Sequence, residues 1–96
     1  MYVRLTRAGE LDVADAADFK RFSVHLGPGQ PPVDGRGVSF EPDGRTAWVD
    51  EAALRAWPGG RDDPAWQAGL SGMIDFARGH GWIDGTRIRA HVETAS

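Results

Sequence analysis

Asp63-Pro64-Ala65-Trp66 opens a helical pattern that closes at Gly79-His80-Gly81-Trp82 and hands over to an alternating segment from Thr86 to Val92. Asp62 or Asp63 caps the start, and Pro64 takes the first helical position, where proline's missing N–H costs nothing. Trp66, Leu70, Met73, Ile74 and Ala77 recur on one helix face, which is expected to cover a sheet. Gly69, Gly72 and Phe76 form an adjoining stripe. Each interior glycine costs about 1 kcal/mol relative to alanine, so close packing against that stripe is expected. In the final strand Ile88, Ala90 and Val92 point to the core, while Arg87, Arg89, His91 and Glu93 point away.

Upstream the chain reads as strands and turns. Tyr2 to Arg7 alternates as a half-buried strand. The alanine-rich run from Val13 to Phe19, with Asp15 as N-cap, predicts a short helix or single turn. Phe22, Val24 and Leu26 alternate with Ser23 and His25, giving a second strand with His25 on its less apolar face. Gly27 to Gly37 holds four glycines and three prolines, a density that sustains neither helix nor ladder. This longest loop lacks the glycine spacings that cradle phosphates. Val38–Phe40 and Thr46–Val49 flank Glu41-Pro42-Asp43-Gly44, a hairpin with a type I turn. Asp50 caps a helix of about two turns that Pro58-Gly59-Gly60 ends.

These elements make one α+β domain over residues 1–96: an antiparallel or mixed sheet of about five strands, the long C-terminal helix across one face, and one or two short helices. The order is strand, short helix, strand, hairpin, helix, helix, strand. It is compatible with a degenerate split-βαβ arrangement.

Composition narrows the function classes. With 41% hydrophobic and 26% charged residues the chain is too apolar for disorder and too evenly charged for a membrane span. Met1-Tyr2-Val3-Arg4 starts no signal sequence, so a cytoplasmic protein without a membrane partner is expected. The absence of cysteine excludes disulfides, thiolate nucleophiles and Cys-containing metal sites. A net charge of -3 argues against a general nucleic-acid binder, which would need a contiguous patch such as Arg4, Arg7, Arg87 and Arg89.

No catalytic motif stands out: there is no GxSxG elbow, no HExxH and no interpretable carboxylate pair. The reading leans away from an enzyme and expects neither cofactor nor metal. His25 and His91 could share a sheet face, and His80 suits a helix C-terminus. Arg87, Arg89 and His91 line up cationic donors about 7 Å apart along a strand and, with His25, form the candidate site for a small anionic ligand. Arg4 would join that row if the first and last strands were neighbours. Of four tryptophans, Trp66 belongs to the core and Trp82 to the turn after the long helix, whereas Trp48 lies across the pleat and Trp57 ends a short helix. Trp48, Trp57 and the stripe Gly69, Gly72 and Phe76 are therefore candidate interface residues. The leading expectation is a non-catalytic interaction module that self-associates or joins a larger complex. The alternative is a small-molecule binder, or small enzyme, using His25, Arg87, Arg89 and His91.

Overall fold

The computed structural model describes residues 1–94. Strands β1 (Tyr2–Leu5), β2 (Leu11–Ala14), β3 (Ser23–Leu26), β4 (Val38–Phe40) and β5 (Thr46–Asp50) lead into helix α1 (Glu51–Arg55). Helix α2 (Pro64–Gly79), a two-residue strand β6 (Ile83–Asp84) and the long β7 (Arg87–Thr94) complete the chain. The sheet is mixed and seven-stranded, in the order β2-β1-β3-β7-β5-β4, with β6 beside β7. β1, β3 and β7 run parallel as neighbours, and the remaining pairings are antiparallel.

The α+β class and the long helix agree with the sequence, but the sheet exceeds the expected five strands. One added strand takes the start of the run over 13–19 expected as a short helix or single turn; a turn follows it, closed by Asp18 N donating to Asp15 O (3.0 Å). Leu11–Ala14 pairs with β1 in the register Val3↔Val13, which buries Val13, and Asp15 then turns the chain at φ 50°. A strand that closes a ladder and buries a valine outweighs the few tenths of a kcal/mol per residue that alanine offers a helix. The other addition is β6, which forms a tight hairpin with β7 through Gly85 and Thr86. Adjacent parallel strands also replace the split arrangement. β3 separates β1 from β7, so Arg4 does not join the β7 row. Helix α1 spans five residues rather than two full turns.

The core lies between one sheet face and α2. Val3, Val24, Val49, Ile88 and Leu70 are all at most 1% exposed. Asp63 caps α2 by accepting from the Ala65 and Trp66 N–H groups, with Pro64 opening the helix. Its C-terminus is closed by Gly81 at φ 76°: Gly81 N donates to Arg78 O (3.2 Å) and Trp82 N to Ala77 O (2.9 Å). This paired pattern needs a left-handed residue after the cap, which glycine supplies without steric penalty. Arg55 joins the helices, donating to Gln67 Oε1 (3.0 Å) and Ser71 Oγ (2.9 Å), while Gln67 Nε2 returns to Arg55 O (3.0 Å).

The sheet curls so that its edges approach: Arg36 N donates to Gly9 O (3.0 Å), and Gly37 faces both Ala53 and Leu11. A Cβ at Gly37 would fall 2.4 Å from that of Ala53, at a backbone φ of 76°. The expected close packing of the α2 glycine stripe applies to Gly69, where a Cβ would meet the Phe19 ring, but Gly72 faces open space. Gly37→Ala is therefore expected to cost roughly 2–4 kcal/mol, combining left-handed strain with overpacking. Gly72→Ala is expected to add up to about 1 kcal/mol of stability by helix propensity. Urea unfolding midpoints of the two variants check both signs.

Candidate functional site

The sheet face away from α2 carries the residues singled out by sequence for an anion site, together with Trp48. The pairings align Tyr2, Ser23, His91 and Thr46 across four strands, with Arg4, His25, Glu93, Arg89, Trp48 and Arg87 on the same face. His25, Arg87, Arg89 and His91 thus share a surface, but their partners divide them. His25 stacks on Tyr2 (ring centroids 3.9 Å apart, 7° between planes) and places Nε2 3.1 Å from Glu93 Oε2. His91 Nε2 lies 3.9 Å from the other oxygen of the same carboxylate. Arg87 bonds to Asp84 (2.9 Å) across the β6–β7 turn, and its guanidinium carbon sits 5.2 Å from the Trp48 ring centroid. Among the described residues Arg89 has no carboxylate within 4.0 Å.

The candidate interface residues separate likewise. Trp48 is half-buried and donates its indole N–H to Glu41 (2.6 Å). Trp57, also half-buried, packs on Trp66 at 5.4 Å and donates to Asp12 Oδ1 (3.3 Å). Gly69 lies against Phe19, whereas Phe76 is 62% exposed. Phe76 touches His80 (4.4 Å), which stacks on Trp82 (4.7 Å, 19°).

A cleft absent from the sequence reading opens where β7 is incompletely paired. One edge of β7 is taken by β5 over residues 87–91. On the other, β6 covers Arg87 and Ile88, and β3 begins only at His91. Arg89 and Ala90 between them have no strand alongside, and the Arg89 N–H is satisfied by the Trp82 carbonyl (2.8 Å). Phe22 and Trp82, the residues just before β3 and β6, flank this notch. Two cavities meet there. One, of about 270 Å³, is lined by Arg45, Thr46, Arg89 and His91 beside Phe22 and Trp82. The other, of about 90 Å³, reaches toward α2 between Phe19, Phe22, Met73, Phe76 and Trp82, with Lys20 and Arg21 at its rim.

Carboxylates adjoin this cleft without lining it: Glu41 and Asp43 border a neighbouring hollow that shares Thr46 and Arg89, and Glu93 lies 3.9 Å from His91. Lys20, Arg21, Arg45 and Arg89 line the two cavities, and no Asp or Glu does. Among the described residues five of the eleven Lys and Arg side chains pair with a carboxylate: Arg4, Arg55, Arg61, Arg78 and Arg87. Four of the other six therefore stand at this one cleft, in a chain of net charge -3. All four are exposed, so their combined positive potential is screened by solvent and weakens as salt rises. No group of three or more metal-ligating side chains suited to an ion occurs among the described residues. None of the described helices is long and apolar enough to cross a membrane.

Sequence reasoning missed Phe22, Arg45 and Trp82 as site residues. The available signal was the run Lys20-Arg21-Phe22 directly before a strand, together with Gly85-Thr86, a glycine-first two-residue hairpin turn that brings Trp82 to the side of β7. Comparison with family profiles, curated proteins and solved structures gave no match.

Asp12 lies on the edge strand β2, with its carboxylate 3.1 Å from Arg4 Nε. The Arg4 hydrogen bond holds its carboxyl below the ordinary value of 3.8, against a smaller opposing effect of burial. A depressed carboxylate pKa stabilises the fold above the unfolded-state pKa, and that contribution is lost as pH falls through the folded value. Asp12→Asn is expected to lose under about 1 kcal/mol at pH 7, since the pair is largely exposed. The difference from the parent protein should shrink below about pH 4, as read from denaturant midpoints across pH.

Proposed function

We propose that this chain is a binding module for a small anion, with the β7 notch as its site and Arg89 and Arg45 as the groups that hold the charge. The observation that carries this reading is the clustering of four carboxylate-free cations around one cleft in an acidic chain. It takes up the alternative drawn from sequence and redistributes its residues. Arg89 and His91 remain in the site, Arg45 joins them, and Arg87 and His25 serve their own partners Asp84 and Glu93. Guanidinium groups present a planar donor fork that matches a carboxylate or phosphate in bidentate fashion. At about 270 and 90 Å³ both cavities fall below the roughly 300–1,000 Å³ that ligand sites usually occupy, which restricts the occupant to a small ligand.

Phe76 favours a second reading. At 62% exposure beside His80 and the 41%-exposed Trp82, it offers an aromatic surface to a second copy of the chain or another protein. Light scattering separates this from the first reading: a monomer at high protein concentration removes self-association.

Arg89→Ala is expected to weaken binding of inorganic phosphate or a simple carboxylate by roughly tenfold, the loss of one charge-assisted contact. Arg87→Ala, which removes a cation already paired, is expected to change it less than twofold or so. Calorimetric titration at low salt, repeated at physiological ionic strength, reads both. Equal effects of the two substitutions, or no salt dependence, would remove Arg89 from the role.

A further inference from the structure

The two cavities at the notch differ in chemistry, and the difference specifies what fills them. The larger has polar and cationic walls: Arg45, Thr46, Arg89 and His91. The smaller is walled by Phe19, Met73, Phe76 and Ala77, and its polar side chains are cations and the indole of Trp82. Phe22, Trp82 and Arg89 belong to both, so the two cavities adjoin along these side chains. Apart from that indole the smaller cavity offers no neutral hydrogen-bonding side chain with which to read a base or a sugar, and at about 90 Å³ it admits little more than a ring edge or a short hydrocarbon segment.

Building on the anion-binding reading above, we infer that the ligand is an amphipathic carboxylate: a planar anionic head held by Arg45 and Arg89, carrying an aryl or short alkyl body that enters between Phe22 and Trp82 toward α2. The wall geometry supports this division. Trp82 is held by the α2 cap on one side and by its carbonyl's bond to Arg89 N (2.8 Å) on the other. The Met1 amino nitrogen fixes the opposite wall by donating to the carbonyls of Asp18 (2.8 Å) and Arg21 (3.0 Å), just before Phe22. Both walls are therefore positioned without ligand, which lowers the ordering cost of binding. The aromatic walls suit an aryl body, since ring pairs gain beyond the area they bury. A neutral analogue of the same shape would leave both guanidinium groups without their anion, and a bare anion would leave the apolar cavity to water.

The test compares phenylacetate, acetate and phenylacetamide by calorimetric titration of the whole chain and of two variants, Phe76→Ala and Arg89→Ala. Phe76 is exposed, so its truncation leaves the core intact. Phenylacetate is expected to bind about tenfold more tightly than acetate through the ring edge placed between the aromatic walls. It should likewise exceed phenylacetamide by about tenfold through the charge. Phe76→Ala should weaken phenylacetate severalfold without affecting acetate, and Arg89→Ala should weaken both. If acetate binds as tightly as phenylacetate and both depend on Arg89, the amphipathic assignment is overturned while the anion site stands. If phenylacetamide matches phenylacetate, or Arg89→Ala changes nothing, the anion reading fails first. No binding by any of the three at millimolar concentration overturns both.

Discussion

Strand β7 is the constraint on which the rest of the structure depends. Its even-numbered residues Ile88, Ala90 and Val92 are at most 7% exposed and face the α2 helix, and its backbone is shared among β5, β3 and β6. Removing water from those three side chains together with Val24, Val49 and Leu70 provides the non-directional driving force that orders strands too short to pair stably alone. The odd-numbered residues are carried to the outer face by the same pleat. A one-residue slip would exchange Arg89 for Ala90 on that face and bury a guanidinium.

Three partners on an eight-residue strand leave a mismatch. β5 occupies one edge without interruption over five residues, whereas β6 and β3 divide the other and fall two residues short of meeting. The chain before each short strand must leave the sheet at that point: toward the α2 cap from Trp82, and toward Phe19 and Gly69 from Phe22. Two aromatic side chains therefore stand where a continuous strand would otherwise close the sheet. The cleft follows from strand lengths, and its charge from Lys20, Arg21, Arg45 and Arg89, which meet there from three segments. Among the described residues none of the four has a carboxylate within 4.0 Å, so each is available to an anion supplied from outside.

The parts of the fold legible in the sequence were those written in local periodicity. Helix α2 announced itself through Asp63, Pro64 and the spacing of its apolar face, and β7 through strict alternation. The turn before β5 and the Asp50 cap were equally local. β2 was not legible because Leu11–Ala14 is short and runs straight into the alanines Ala16 and Ala17, and its strand character comes from pairing with β1. Strand order was illegible for the same reason. At the site, the outward row on β7 was readable, but the partners that neutralise it were read only in part. Glu93 lay in the row itself, while Asp84 reaches Arg87 only through the β6–β7 hairpin. Arg45 and Phe22 are brought to Arg89 across long stretches of chain, and no spacing within a single segment encodes such a meeting.

The central claim is that the interruption along β7, rather than the polar sheet face as a whole, is where this chain meets its ligand. Backbone amide chemical-shift mapping with phenylacetate addresses it directly. Saturable shifts centred on Phe22, Arg45, Trp82, Arg89 and Ala90, fading toward Tyr2 and toward Trp48, are the expected result. Shifts centred instead on the Tyr2–His25–Glu93 group, on Trp48 and Glu41, or on the Gly27 to Gly37 loop would contradict it.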